Sequence, residues 1–202
     1  MAKICLICTT TAIIPSAMKL IVNPKKKQFL YALVVSSLAF FLFSFQVHEK
    51  SILVAAIPAI LIFPLEPFMV FWFLQVSTFS MLPLLIKDGL FIAYVGMSGV
   101  YFLLAKIIID ASKDPKQKSI NFLRVFWNFG NEKKNEGKLI ENLMFYSFMI
   151  SLVVEILLMI GFFCVKPPEH LPFLYPLLIS AFSCCHFIAF FVYFNVKQLF
   201  YE

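Results

Sequence analysis

"HEKSILVAAIPAILIFPL", residues 48–65, decides how many times this chain crosses a membrane. It opens with an imidazole, an acid and a base, His48, Glu49 and Lys50, and continues as an apolar run interrupted by Pro58. A crossing helix needs about 20 apolar residues, at 1.5 Å rise each, to span a hydrocarbon core of roughly 30 Å. The apolar part, 51–65, covers only about 22 Å. Adding the triplet as a first helical turn lengthens it by about 4.5 Å. A proline inside a helix removes a hydrogen bond and bends the axis. Short, bent helices that open on charged groups line polar cavities in membrane proteins. The plainer alternative is an interfacial anchor, with Lys50 snorkelling to the headgroups.

The surrounding chain makes the membrane setting clear. Of its 202 residues, 61% are hydrophobic, 14% are charged and 26 are Phe, and its mean hydropathy is +0.90. A soluble domain carries nearer a quarter charged residues. The expected class is therefore an all-α multi-pass membrane protein, folded as a single transmembrane helical domain over 1–202. Apolar stretches place spans at 4–22, 28–47, 48–65, 68–86, 89–109, 140–165 and 171–196, about seven transmembrane helices. With all seven crossing, thirteen of the 17 Lys and Arg fall on one side and four on the other. If 48–65 did not cross, the Lys-rich segments at 23–27 and 110–139 would face opposite sides. The positive-inside rule thus favours seven crossings, with the 110–139 loop cytosolic and His48, Glu49 and Lys50 on the far side.

Other features carry less. The net charge of +6 suits basic loops. The cations are not interleaved with aromatics, so no nucleic acid is expected. Cys5, Cys8, Cys164, Cys184 and Cys185 lie in or beside apolar runs and read as small apolar residues. Cys5 and Cys8 have C-x-x-C spacing without a second pair to complete a zinc site. Within the loop, 119–130 is expected to form a surface helix, with Ile120, Leu123, Phe126 and Trp127 toward lipid and Arg124 outside. Glu155 and His186 sit mid-span; an intramembrane carboxylate is costly and usually faces the bundle interior. A packing role is expected for both, and pairing between them is the alternative.

"FFLFSFQVHEKSIL" at 40–53, "STFSMLPLL" at 77–85, "YFNV" at 193–196 and "KPPEHLP" at 166–172 together resemble a family. It is that of the endoplasmic-reticulum dolichyl-phosphate-glucose-dependent α-1,3-glucosyltransferases, in their C-terminal half. "HEKSIL" is the specific part, and the likeness runs along nearly the whole chain. The first-glucose enzyme of lipid-linked oligosaccharide assembly is the nearer match, through Ser51 and "STFSMLPLL"; the second-glucose sister enzyme is the close alternative.

The resemblance implies the C-terminal part of a membrane-embedded (type C) glycosyltransferase fold in the endoplasmic reticulum membrane, with the triplet lumenal. It implies dolichyl-phosphate glucose as donor and the dolichyl-pyrophosphate-linked, mannose-rich oligosaccharide of protein N-glycosylation as acceptor, with membrane lipid around both. A departing lipid phosphate gathers negative charge, which fixed cationic donors stabilise. His48 and Lys50 suit that donor-phosphate role and Glu49 an orienting one; neighbouring cations make Glu49 a weaker base. No cofactor or metal is expected, since no acidic cluster stands ready to hold one. The family's catalytic acid lies on a large lumenal loop that finds no match here. The chain is therefore expected to be a fragment, inactive alone, with its catalytic residue unknown. A non-catalytic multi-span transporter or scaffold is the competing class; the absence of an internal repeat or charge ladder speaks against it.

Overall fold

In the computed structural model, which describes residues 1–45, 47–111 and 137–200, every regular element is helical. Helix α1 spans Ala2–Val22, α2 Lys26–Phe43, a single 3-10 turn Glu49–Ser51, α3 Ile52–Leu61, α4 Pro67–Ser80, α5 Leu82–Lys87, α6 Phe91–Ala111, α7 Gly137–Cys164 and α8 Leu174–Phe200. Four of them, α1, α2, α7 from Leu143 onward, and α8, are long and apolar enough to cross a membrane. The expected surface helix at 119–130 lies outside the described residues.

The structure refines the expected spans where prolines fall. The segment read as one span over 68–86 consists of two helices, α4 and α5, parted at Met81. Pro83 is the reason: with no N–H it cannot bond back to Phe79, so it sits in the first turn of a new helix, where that donor is not needed. The 48–65 segment is a 3-10 turn followed by a helix of 10 residues with Pro58 inside it. The helix does not begin at His48; that residue is extended (φ −80°, ψ 149°) and caps the turn. Helix α5 ends on Gly89, whose φ of 72° is the left-handed conformation that closes a helix.

The chain forms two compact units, Met1–Gly89 with Pro176–Glu202, and Leu90–Tyr175. In the first, α1 and α2 form a hairpin, α2 packs on α3, and α3 on α4. Helix α8 supplies the seam. Ile179, Ser183, Phe187, Phe190, Phe194 and Gln198 recur at helical spacing and are all buried. Phe187 meets Phe41 edge-on with ring centroids 5.3 Å apart. Phe190 stands across Trp72 at 5.3 Å and Phe73 at 5.4 Å. Lipid tails are as apolar as Leu, so hydrophobicity does not drive helices together inside a bilayer; close packing and hydrogen bonds do. The aromatic seam provides the packing, each edge-to-face pair adding about 0.5–1.5 kcal/mol beyond its buried area. Outward faces stay apolar, as on α1 at Ile4, Ile7, Ile14 and Ile21, which suits a lipid environment.

In the second unit, Glu155 on α7 is only 4% exposed, in keeping with an inward-facing intramembrane carboxylate, and Tyr94 of α6 lies within electrostatic reach of it. His186 belongs to the first unit. It bonds through Nδ1 to the Phe182 carbonyl at 2.9 Å and packs against the rings of Trp72 and Phe182, as its expected packing role requires.

Candidate functional site

The 3-10 turn carries Glu49 and Lys50, with His48 just before it, and all three are exposed. The Ser51 N–H donates to the His48 carbonyl at 2.9 Å, which closes the turn. Neither the turn nor α3 receives a side-chain cap, and the first N–H of α3, that of Ile52, bonds back to the Glu49 carbonyl, so the exposed N-terminal end of this helical run is the 3-10 turn itself. Such a terminus is positively polarised and favours anions.

Beside this turn lies a cavity of about 270 Å³ within the first unit. His48 and Glu49 line one wall with Phe41, Leu42 and Val47 at the end of α2; Ser80 closes α4; Ser180, Ser183, Cys184 and Phe187 come from α8. A second cavity, of about 230 Å³, shares Phe41 and Val47 and is bordered by Ser37, Ser44 and Ser51. Two polar-edged hollows thus border the segment after α2. The structure brings His48 and Glu49 to the first hollow. Lys50 is one residue further along the turn and does not line it, but its ammonium rides on a flexible four-carbon stem.

Most hydroxyls in this unit are satisfied by their own helix. Ser36, Ser37 and Ser77 donate to carbonyls four residues back at 2.7–2.8 Å, and Ser80 donates to the Ser77 carbonyl at 2.7 Å. Ser183 does not. It is 2% exposed and its Oγ has no hydrogen-bond partner. Leaving a buried polar group unsatisfied costs on the order of 1–3 kcal/mol.

A second polar cluster lies about ten residues, roughly 15 Å, along α2 and α8 from the first. Glu66, which caps α4, accepts from the Tyr193 hydroxyl at 2.7 Å and the Tyr31 hydroxyl at 3.2 Å. Lys197 Nζ stands 2.9 Å from the same carboxylate and 5.6 Å from the Tyr193 ring centre. Nearby, the Ser16 hydroxyl donates to Gln198 Oε1 at 2.6 Å and Gln198 Nε2 donates to the Ser16 carbonyl at 3.0 Å. With every group partnered, this cluster ties α1, α2, α4 and α8 together.

Sequence reasoning missed this cluster and the α8 wall. Glu66 reads as a loop acid between Pro64 and Pro67, and its partners are 35 and 127 residues away. Ser180, Ser183 and Cys184 read as small residues in an apolar run. The one available signal was the buried-stripe spacing of Ile179, Ser183 and Phe187. The five cysteines are all free, and Cys8, Cys164, Cys184 and Cys185 are exposed. Among the described residues, no three His, Cys, Asp or Glu side chains gather as a metal site.

Comparison with known proteins places this architecture. The model of the ALG6, ALG8 glycosyltransferase family matches residues 1–193. The chain is 40% identical over 188 residues to the dolichyl pyrophosphate Man9GlcNAc2 alpha-1,3-glucosyltransferase of Gallus gallus. It is 38% identical over 195 residues to the protein of that name from Mus musculus, and 37% identical over 188 residues to that from Pongo abelii. Each match covers 93% of this chain and 37% of the relative, so the chain spans little more than a third of the relatives' length. The match over 1–193 takes in the whole lining of the cavity, Glu66 with its two tyrosines, and every helix except the last turns of α8, and by it this all-helical, multi-pass membrane chain belongs to the ALG6, ALG8 glycosyltransferase family.

Proposed function

We propose that the chain is the membrane portion of an enzyme that moves glucose from dolichyl-phosphate glucose to a dolichyl-pyrophosphate-linked Man9GlcNAc2 acceptor, forming an α-1,3 bond. The observation that carries this reading is the cavity that His48 and Glu49 share with apolar Phe41, Leu42 and Phe187. An anionic headgroup on an isoprenoid chain needs that combination of a cationic or hydrogen-bonding rim and an apolar wall. The names of the relatives favour the first-glucose reaction over the sister one.

In the transfer, an acceptor hydroxyl attacks the glucose anomeric carbon, the bond from that carbon to the phosphate oxygen breaks, and dolichyl phosphate departs with the electron pair. The hydroxyl proton passes to a base. His48 and Lys50 hold the phosphate as its charge grows. Glu49 orients the two cations. All seven expected spans cross the endoplasmic reticulum membrane, the triplet faces the lumen and the 110–139 loop the cytosol; α6 and α7 extend into that loop as far as Ala111 and from Gly137.

The test is glucose transfer per molecule of solubilised full-length enzyme carrying these residues. His48→Ala or Lys50→Ala should lower turnover about a hundred- to a thousand-fold, or ~2.7–4 kcal/mol, with abundance unchanged. Glu49→Gln should retain partial activity. A mere membrane anchor behaves otherwise: abundance and activity fall together and Lys50→Arg restores both. Near-normal turnover in His48→Ala and Lys50→Ala would falsify the phosphate role.

A further inference from the structure

The buried stripe of α8 carries a polar residue toward each end, and the two are treated differently. Gln198 is fully buried and both ends of its amide are bonded to Ser16. Ser183 is almost as deeply buried, and among the described residues it is the one buried hydroxyl with no hydrogen-bond partner. An unused partner is within easy reach in most helices: a serine can donate to the carbonyl four residues back, as Ser36, Ser37, Ser77 and Ser147 do. Ser183 makes no such bond. It lines the same cavity as His48 and Glu49. Another hydroxyl lining the cavity, Ser80 of α4, has already given its proton to the Ser77 carbonyl.

We propose that Ser183 is a headgroup-binding residue of this cavity, donating its hydroxyl hydrogen bond to an oxygen of the phosphate that His48, on another segment lining the cavity, also holds. The role rests on the donor-phosphate reading above and adds a contact from a different helix. The chemistry is complementary. A phosphate oxygen is acceptor only, and Ser183 offers an uncommitted donor. Its side chain turns on χ1 alone, among three staggered wells, so Oγ swings toward a ligand without moving the backbone. A donor shielded from water bonds a charged acceptor more strongly than an exposed one. Phe187, one turn along α8, and Phe41 supply the apolar surface that the first lipid carbons need.

The experiment uses full-length enzyme carrying residues 1–202. It compares Ser183→Ala, Ser183→Val and Ser183→Thr by donor kinetics and thermal melting. Thr keeps the hydroxyl and Val is its isostere without one. Ala and Val should lower kcat/KM for dolichyl-phosphate glucose about ten- to a hundred-fold, the range for a hydrogen bond to a charged group. Thr should restore most of it, with KM for the acceptor unchanged. Farnesyl phosphate should compete with the donor, and Ser183→Ala should weaken that inhibition by a similar factor; farnesol, which lacks the phosphate, should act equally on both proteins. Unchanged donor kinetics in Ser183→Ala overturn the proposal, as does an equal loss in Thr and Val, which marks a packing effect. Should Val and Thr fail to fold, the farnesyl phosphate comparison on Ser183→Ala decides alone, because Ala only removes an atom. His48→Ala separates the two levels. A loss there with none at Ser183 overturns this role and leaves the phosphate site standing. No loss at His48 or Lys50 overturns the phosphate site and this role with it.

Discussion

Glu66 shows what a single acid does when a helix cap is placed among tyrosines. Its side chain is 16% exposed, whereas Lys197 is 43% exposed. An ion pair with so exposed a partner is worth about 0–1 kcal/mol, while hydroxyl bonds to a charged group contribute about 1.5–3 kcal/mol. The hydroxyls should therefore dominate. Glu66→Ala should lower stability by at least ~1.5–3 kcal/mol in detergent micelles, and Lys197→Ala by less than ~1 kcal/mol. Of the two tyrosines, Tyr193→Phe should cost more than Tyr31→Phe, because its bond is 2.7 Å rather than 3.2 Å. Thermal unfolding of the four variants checks the order; a Lys197 effect as large as that of Glu66 would reverse the assignment.

The helix α8 joins the two polar clusters through its aromatic seam, so packing and polar contacts can be compared on one element. Phe190 is 2% exposed and touches Trp72 and Phe73. Phe190→Ala removes two edge-to-face pairs of about 0.5–1.5 kcal/mol each and should therefore cost ~1–3 kcal/mol without any water-transfer contribution. Gln198→Leu removes two hydrogen bonds to Ser16. Interhelical polar contacts in membranes average only about 0.6 kcal/mol and reach about 1.7, because the unfolded helices also find partners. Packing should outweigh polar bonding on this helix. The comparison is made by denaturant titration in a single detergent, and a larger loss in Gln198→Leu than in Phe190→Ala would show that the polar clasp, not the seam, holds α8.

At the scale of the whole molecule, the thirteen-to-four division of cations makes a topological prediction. A cysteine or glycosylation tag at residue 88 or 168 should be modified from the lumenal side, and one at 116 or 134 only from the cytosol. Labelling residue 116 from the lumen would invert the seven-span arrangement and remove His48 from the lumenal surface. The two polar clusters fit this arrangement: the Glu66 clasp lies toward the basic connection at 23–27, and the cavity toward the opposite end of the same helices.

Much of this was legible in the residues themselves. Hydropathy alone specified an all-helical membrane chain, because a backbone in lipid must satisfy its own hydrogen bonds and helices do so locally. "HEKSIL" singled out His48, Glu49 and Lys50, since charges in so apolar a chain stand out against their neighbours. Prolines were visible too, although the break that Pro83 makes at Met81 appeared only in the structure, since a hydropathy window sees composition and not a missing N–H. What the tertiary structure alone decided was which residues meet. Glu66 accepts from Tyr193, and His48 comes to line one cavity with Ser183, across more than a hundred residues of chain. In an apolar helix every face looks alike to a periodicity argument, because lipid and neighbouring helices favour the same side chains. Only packing determines which serine is turned inward and left with a proton to give.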